Sequence, residues 1–467
     1  MTINRRRFLA TGAVAAGIAA CGERRRGPEQ TGVLVVGAGL SGLYAAILLE
    51  EQGVEGIGRE ARDRGGGRLW TLDDVPGAPE AGGRTIDAMY ARTLDLMSRL
   101  GLERFERRPV VPGTALYVNG MLLDANDWPV SFANPLAGEE RNIAPNRLYG
   151  WYMDRTNPLS DLLDWRDPNF YSHDRTSIRD ALANAGASTT ALDYMDVNFD
   201  GTGMDDMSAL FAYRKQLVAQ FGQGGAYRVK GGSSRLPEAM ASTLRTEIRF
   251  GKIVEGIRSG NSDVEFQCTD GTRYAADYAL VSIPFSVLRN LALEPEPDPG
   301  QRAIMNTLPY NHITHIQLAF SEPFWEADGL PPSMWVDGPI ERILATPDFD
   351  RELQTLNVWL NGSGAFQADA MSEEEIAAFY PAELARIRPA SAGKVTVVSS
   401  THWGQDPFAQ GAYHFWGPGQ IAEFGDVARA PLGRVHWIGE HMADYQQGME
   451  GALESAERET FRVLESL

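Results

Sequence analysis

An α/β fold is predicted by three features of the amino-acid sequence. An apolar strand at residues 33–36 runs into a G-x-G-x-x-G turn at residues 37–42 and then into a helix predicted at residues 43–52. In the middle of the chain, a hairpin leads into a buried strand that ends at Pro284. A strand at residues 434–438 precedes another glycine-rich segment and a helix. Strands that alternate with helices favour a Rossmann-like sheet.

Composition and charge restrict the classes of partner. The chain has 467 residues, 43% of them hydrophobic, and this length suggests two or three domains. The formal net charge is −19, and the remainder is more acidic still because the first 26 residues are basic. Nucleic acids are therefore not expected as partners. The two cysteines, Cys21 and Cys268, give no disulfide framework or thiolate cluster, and no metal site is expected.

Residues 1–30 have the features of an export signal. A basic head is followed from Phe8 by an apolar run that is too short to span a bilayer comfortably. Arg5 and Arg6 resemble a twin-arginine signal, whose machinery exports folded proteins, so a periplasmic or cell-envelope location is predicted. The segment that ends at Cys21 resembles a lipobox, which would add a lipid anchor in the membrane. Removal of Cys21 with the signal, or an unmodified cysteine, is the alternative.

The glycine turn that follows the first strand is predicted to bind a dinucleotide. Gly37 permits a tight turn, Gly39 lets the backbone approach a pyrophosphate, and Gly42 brings the helix close to the strand. The N-terminus of the helix attracts the phosphates. Glu60 follows about 20 residues later, at a position suited to a ribose hydroxyl. This combination favours a dinucleotide site over a coincidental glycine turn.

Three further segments carry local structural expectations. The stretch GVEGIGRE, which ends at Glu60, is predicted to form a weakened second strand, because Gly56, Gly58 and Arg59 weaken it. Residues 248–257, IRFGKIVEGI, are predicted to form a pair of short strands. Ser372 and Glu375 have the spacing of a capping box, which predicts a helix start at that point.

Residues 60–70, EARDRGGGRLW, place arginines beside closely spaced glycines. With the first turn, this segment resembles the flavin amine oxidase family, whose members wrap such a segment on FAD. The resemblance implies non-covalent FAD as the cofactor, since Ala412 stands where covalently linked members have a cysteine. The cofactor-binding residues that it implies are Gly37, Gly39, Leu40, Ser41, Gly42, Glu60, Ala61, Arg62, Gly67, Arg68, Leu69, Gly82, Gly83, Val254, Gly439, Glu440, Gly448, Met449 and Ala452.

The same resemblance implies a mixed α/β and α+β architecture with two intertwined domains. The FAD-binding domain would be assembled from residues 31–87, 228–290 and 425–467. A substrate-binding domain would be interleaved with it, from residues 88–227 and 291–424. Most tryptophans fall in the second set of segments, as an aromatic-lined cavity would require, although aromatic residues more often fill cores.

The resemblance also implies that the C-terminal part of the chain contacts the ring end of the cofactor. In the family, the residue at Glu440 bonds the ribityl chain, and the helix that begins near Gly448 points its N-terminus at the flavin pyrimidine, where reduced flavin carries negative charge. Gly448 stands where an aromatic residue often closes the substrate cage. Tyr413 and Trp403 are implied to border the substrate and the ring, and structural packing is the alternative for both.

His315 lies in a predicted strand, NHITHIQLAF, with Gln317 on the same face. A satisfied core histidine is one explanation. By the resemblance, however, His315 stands where most members keep a lysine that holds a water at flavin N5, and a neutral imidazole can hold the same water. A metal pair with His312 is not expected, because a strand places the two on opposite faces.

The implied activity is oxidation of a small-molecule amine to an imine, with hydrolysis to an aldehyde or ketone and reduction of oxygen to hydrogen peroxide. Arg84 raises an alternative, because its guanidinium can clamp the carboxylate of an amino acid, as in an L-amino-acid oxidase; a structural ion pair explains it equally well. A dehydrogenase or desaturase with another electron acceptor is suggested by the missing lysine at His315. A flavin-free binding protein is the remaining class, and the oligomeric state stays open.

Overall fold

The computed structural model describes residues 29–54, 56–106, 111–222 and 225–467. Most of the predicted export signal, with Cys21, lies outside the described residues. The mixed α/β fold predicted from the sequence is confirmed. None of the helices in the described ranges combines the length and the apolar character that crossing a bilayer requires.

Helices and strands alternate along the described chain. In chain order the strands are β1 (Glu29–Val36), β2 (Gly56–Arg59), β3 (Ile86–Asp87), β4 (Arg104–Glu106), β5 (Ala115–Val118), β6 (Met121–Asp124), β7 (Ala226–Val229), β8 (Val254–Ser259), β9 (Val264–Cys268), β10 (Arg273–Val281), β11 (Ala292–Glu294), β12 (Ile313–Phe320), β13 (Met334–Val336), β14 (Arg342–Ala345), β15 (Thr355–Asn361), β16 (Val395–His402) and β17 (Val435–Trp437). The α-helices are α1 (Leu40–Glu51), α2 (Ala91–Arg99), α3 (Pro145–Thr156), α4 (Tyr171–Asp174), α5 (Ile178–Asn184), α6 (Thr189–Asp196), α7 (Ala209–Phe221), α8 (Arg235–Thr243), α9 (Phe285–Leu288), α10 (Pro299–Thr307), α11 (Trp325–Asp328), α12 (Gly362–Asp369), α13 (Glu373–Ile387), α14 (Gln420–Phe424) and α15 (Gly448–Leu464).

The first large sheet has the order β11-β8-β9-β10-β1-β2, with β17 also paired to β10. Strand β1 is parallel to β10 on one side and to β2 on the other, and β17 is parallel to β10. Parallel strands end at the same edge of a sheet. Gly37 and Ser282 directly follow β1 and β10, and Gly439 lies two residues after β17. These three residues are therefore brought together, although they lie far apart in the sequence.

The second large sheet has the order β16-β12-β15-β14-β13-β5-β6. Strand β12 is antiparallel to β15 and β16, and the register pairs His315 with Trp359 on one side and with Thr401 on the other. Because side chains alternate along a strand, Ile316 and Leu318 lie on the opposite face, where they join an apolar core with helix α13. The face that carries His315 is left to line a cavity. A small sheet, β3-β7-β4, completes the architecture of the described residues.

The local expectations have mixed outcomes. The hairpin of β9 and β10 and the capping box of Ser372 and Glu375 are confirmed. Helix α1 begins at Leu40, three residues earlier than predicted, because Gly39 serves as its N-cap. The prediction of two short strands at residues 248–257 is wrong in part: Arg249 forms only an isolated bridge with β2, and regular pairing begins at β8.

Strand β2 forms and pairs in parallel with β1 despite its glycines. Glycine weakens a strand because it adds no side-chain packing. Here the absence of a side chain makes room for helix α1, since a Cβ atom built on Gly56 would lie 3.0 Å from Cδ1 of Leu49. The glycine of this strand therefore permits the close packing of helix α1 against it.

Gly42→Ala is expected to destabilise the fold, whereas Gly39→Ala is not. A Cβ atom on Gly42 would lie 1.8 Å from the carbonyl oxygen of Gly37, which is backbone and cannot swing aside, but a Cβ on Gly39 would meet no atom within 4 Å. Overpacking of this kind costs about 1–3 kcal/mol or more. Denaturant unfolding of the cofactor-free proteins measures the difference, and equal stabilities of the two variants would contradict it.

Candidate active site

A cavity of about 600 Å³ lies at the edge where β1, β10 and β17 end, and it extends to one face of the second sheet. Every predicted site residue except Gly42 lines this cavity. Gly42, predicted with the cofactor-binding residues, faces the Gly37 carbonyl instead, so its part is the close packing of helix α1 on the turn. The cavity thus gathers residues from Gly37 to Ala452 into one site.

One end of the cavity is formed by the glycine turn and Glu60. The carboxylate of Glu60 accepts hydrogen bonds from the backbone N–H of Ala38, at 2.7 Å, and of Arg62, at 3.0 Å. The N-terminus of helix α1 has no side-chain cap at Gly39, so its first amides remain open to an anion. These features fit the ribose and the pyrophosphate of a dinucleotide.

The arginine and glycine segment runs directly beside the first turn. Gly66 donates its N–H to the carbonyl of Ala38 at 2.8 Å. Arg62 and Arg68 line the cavity and also tie this segment to distant parts of the chain, since Arg62 pairs with Asp406 at 2.5 Å and Arg68 donates to the Ala412 carbonyl at 2.6 Å.

Arg64, in the same segment, does not line the cavity. Its guanidinium stacks on Trp70, with 4.7 Å to the ring centre, and donates to the carbonyls of Gly65 and Leu69. Its own loop therefore provides the acceptors of this arginine.

Gly82 and Gly83 line the cavity, but the need for glycine at both positions comes from the protein itself. A Cβ on Gly82 would lie 2.0 Å from the carbonyl oxygen of Arg68, and one on Gly83 would lie 2.7 Å from Cδ2 of Leu69. Trp403 is packed against the same segment, where its indole N–H donates to the carbonyl of Ala81 at 2.6 Å. The segment is therefore fixed at the wall of the cavity.

Glu440 places a buried carboxylate in the wall of the cavity. Its Oε1 lies 3.0 Å from Nδ1 of His414, and its Oε2 lies 3.7 Å from Arg68. Burial alone would raise the pKa of Glu440, but His414 and Arg68 outweigh it and lower that pKa to about 2. Its Oε2 accepts no hydrogen bond from the described residues. A charged carboxylate with an open acceptor suits a ligand that carries hydroxyl groups, so the site fits the ribityl chain of FAD.

His315 projects into the other end of the cavity. One of its ring nitrogens, Nδ1, contacts the side-chain amide of Asn357 at 3.2 Å, and the ring packs edge-on against Trp359 with centres 4.6 Å apart. Burial, helped by the positive charges of Arg84 and Arg342, lowers the pKa of His315 to about 3. The imidazole is therefore neutral at physiological pH, which its predicted part as a holder of water requires.

His312 lies just before strand β12 and His315 lies within it, and their side chains face opposite sides, as strand geometry predicts. His312 lies against Asp369, with 4.0 Å between Nδ1 and Oδ2, and its ring is 4.5 Å from that of Phe366. His315 lines the cavity and His312 does not.

A second, water-sized cavity of about 20 Å³ lies beside Asn357, the hydrogen-bond partner of His315. It is lined by Asn357, Gln317 and Arg84, among others. Both amide atoms of Gln317 are buried and bond no group in the described ranges. A polar pocket of this size suits a single buried water that would satisfy the amide. His315 is thus supported through Asn357 by a polar layer rather than by apolar core.

Tyr413 lies on the wall of the cavity near Lys215. Its hydroxyl oxygen accepts from the side-chain N–H of Asn311 at 3.2 Å, and Nζ of Lys215 is 5.2 Å from its ring centre. Burial and the nearby Asp200 raise the pKa of Tyr413 well above 10, so the hydroxyl keeps its proton. Gly448 stands where family members often have an aromatic residue. It has a φ of +57° and lies beside the Tyr90 hydroxyl.

Several lining residues were not predicted from the sequence. They are Tyr90, Asp200, Phe211, Lys215, Arg342, Trp359 and His414. One signal was present: strand β15 reads TLNVWLN, in which asparagine, tryptophan and asparagine alternate with leucine and valine, and this pattern indicates one polar face. Lys215 on helix α7 and Arg342 on β14 carry no comparable local signal, since tertiary packing alone brings them to the cavity.

Comparisons with known proteins agree with this site. The sequence profile described as "Flavin containing amine oxidoreductase" matches residues 40–464. A Bacillus subtilis protein named "Putative L-amino-acid oxidase YobN" is 27% identical, over 92% of this chain and 94% of its own length. The flavin-containing amine oxidase A of Canis lupus familiaris is 25% identical, over 93% of this chain and 85% of its own length.

Solved structures share the fold. Wild-type putrescine oxidase bound to putrescine superimposes with a TM-score of 0.78 at 23% identity, covering 94% of this chain and 100% of that one. Cyclohexylamine oxidase from Brevibacterium oxydans gives a TM-score of 0.78 at 21% identity, with 93% and 99% coverage. Because the family profile spans most of its length, the chain belongs to the flavin-containing amine oxidoreductase family and is an FAD-dependent amine oxidoreductase.

Proposed function

We propose that the protein oxidises a primary or secondary amine to an imine, which water hydrolyses to an aldehyde or ketone, and that oxygen is the electron acceptor. For a primary amine, the balance is amine, oxygen and water to carbonyl compound, ammonia and hydrogen peroxide. The observation that carries this proposal is a single cavity lined both by a carboxylate with an open acceptor, Glu440, and by a neutral imidazole, His315.

FAD bound in this cavity would supply the two-electron chemistry. The residues of the chain orient the partners and exclude water. The aromatic side chains of Tyr413, Trp403 and Trp359 line the cavity and suit an apolar substrate body. His315, held by Asn357, can accept a hydrogen bond from a water or donate one to it without carrying charge. The assignment of these four side chains to the reaction rests on their positions in the cavity.

An L-amino-acid oxidase is the second candidate. Arg84 lines the cavity within 5.1 Å of the Trp359 ring centre, and one of its nitrogens is 3.3 Å from Oγ1 of Thr346. A guanidinium at this place can bind a substrate carboxylate. The relative named for L-amino-acid oxidation supports the same possibility.

The proposed reaction is tested by mixing the purified yellow protein with neutral amines and with amino acids. We expect anaerobic bleaching of the flavin absorbance, and stoichiometric hydrogen peroxide once oxygen is admitted. Slow reoxidation by oxygen together with fast reoxidation by a quinone would show a dehydrogenase instead. A protein that binds no flavin under ample riboflavin supply would contradict the whole assignment.

Arg84→Gln separates the two candidate substrate classes. If Arg84 clamps a carboxylate, kcat/KM for an amino acid is expected to fall by about tenfold or more, while that for the matching amine without a carboxylate changes little. The ratio of the two kcat/KM values is the measurement. An unchanged ratio would assign Arg84 to a structural part.

His315→Gln is expected to make the protein less sensitive to acid. The pKa of His315 is about 3 when folded, against about 6.5 in an unfolded chain, so protonation of the unfolded state lowers stability as pH falls below 6.5, and above that pH the effect is absent. At pH 5 this contribution is about 2 kcal/mol. Urea unfolding at pH 7.5 and pH 5 measures it, and an equal loss in both proteins would contradict it.

We also propose export by the twin-arginine route, since a chain that must bind a cofactor before transport benefits from folded export. Replacing Arg5 and Arg6 by lysine is expected to leave the protein in the cytoplasm of a bacterial host. Cys21→Ser is expected to release it from the membrane fraction if the lipobox is used. Cell fractionation with immunodetection checks both results, and export of the double-lysine variant would contradict the route.

A further inference from the structure

Arg342 is placed beside the reacting end of the cavity by strand register. Strand β14 is antiparallel to β15, with Ile343 opposite Val358 and Leu344 opposite Asn357, so Arg342 continues the register opposite Trp359. Trp359 in turn lies opposite His315 on β12. Because these side chains occupy one row across three strands, Arg342 reaches the cavity on the same face as His315.

The guanidinium of Arg342 has no anionic partner within the described ranges. It stacks on Trp359, 4.9 Å from the ring centre, and its Nε is buried without a hydrogen bond. The adjacent carboxylate of Glu341 is turned to other donors, the side chain of Asn198 at 2.7 Å and the N–H of Asn361 at 2.9 Å. Glu341 thus acts on Arg342 only through its electrostatic field and not through a direct ion pair. An anion in contact with this partly buried guanidinium would be stabilised.

The charge around this end of the cavity has one predominant sign. Arg84, Arg342 and Lys215 all line it, and the nearby Asp200 is exposed at its rim. Lys215 donates to the backbone carbonyl of Asp200 at 3.1 Å, and the carboxylates of Asp200 and Glu440 both stabilise its charge. Arg342, by contrast, forms no ion pair in the described part of the chain. A simple alkylamine, which is a cation in water, would be repelled by such a wall, whereas a substrate with carboxylates would be attracted.

We propose that Arg342 binds a carboxylate of the substrate and that the preferred substrates are amines with two carboxylates, the dicarboxylic amino acids. Arg84 would take one carboxylate and Arg342 the other, since both guanidinium groups lie about 5 Å from the same ring centre. Arg342 then acts as the residue that selects an acidic side chain. This inference rests on the proposed amine oxidation and narrows its substrate class.

The test compares pairs of substrates that differ only in the side-chain charge, L-glutamate with L-glutamine and L-aspartate with L-asparagine. The holoenzyme is expected to prefer the acidic member of at least one pair by about tenfold or more in kcat/KM. Arg342→Gln is expected to abolish that preference, so that the ratio of kcat/KM for the acidic member to kcat/KM for the neutral member falls to about one. Arg342→Lys should keep part of the preference, and Arg386→Gln, at an exposed position on α13, should keep all of it.

A non-reacting ligand gives a readout that does not depend on turnover. Glutarate is titrated into the holoenzyme, and the shift of the flavin absorption band is followed. We expect binding in wild type and a Kd at least about tenfold higher in Arg342→Gln. Thermal melting verifies that each variant is folded.

The outcomes separate the two proposals. Oxidation of neutral amines without any preference for acidic partners, or glutarate binding that ignores Arg342→Gln, would overturn the inference and leave amine oxidation intact. In a different outcome, glutarate binding depends on Arg342, but no amine or amino acid reduces the flavin. That result would support the anion site and overturn the proposed reaction.

Discussion

The close contact between strand β1 and helix α1 is the constraint on which the rest of the structure depends. Gly42 lets the helix approach the turn so closely that no side chain fits between them, and Gly37 leaves the same turn beside Ser282. This packing aims the amide end of α1 into the cavity at the edge where β10 and β17 also end. The position of the nucleotide site therefore follows from the backbone geometry of the parallel sheet. The side chains around it add further contacts to a ligand at that position.

The other end of the cavity depends on alternation along antiparallel strands. One face of β12 and β15 packs into apolar core, which leaves His315 and Trp359 on the opposite face. The electrostatics follow from this placement, because burial and neighbouring arginines keep His315 neutral, while His414 and Arg68 keep the carboxylate of Glu440 charged. Of two ionisable side chains in one cavity, one is thus kept neutral and the other is kept charged by its surroundings.

Features set by local sequence could be predicted, and those set by distant pairing could not. The glycine turn, the hairpin before β10 and the capping box at Ser372 each require only neighbouring residues. The close packing of helix α1 on Gly56 could not be predicted, because it depends on a contact between two separate elements. Arg342 and Lys215 were missed because nothing near them in the sequence marks them, and only the sheet register and the packing of α7 bring them to the cavity.

The contacts of Arg62 with Asp406 and of Arg68 with Ala412 have a consequence for biosynthesis. They join segments that leave the ribosome more than 300 residues apart, and helix α15 supplies lining residues still later. A nascent chain therefore has a finished β1–α1 unit long before it has a pocket, and the ligand can be captured only when translation is nearly complete. The lining of the cavity is in this way complete only after nearly the whole chain has been synthesised.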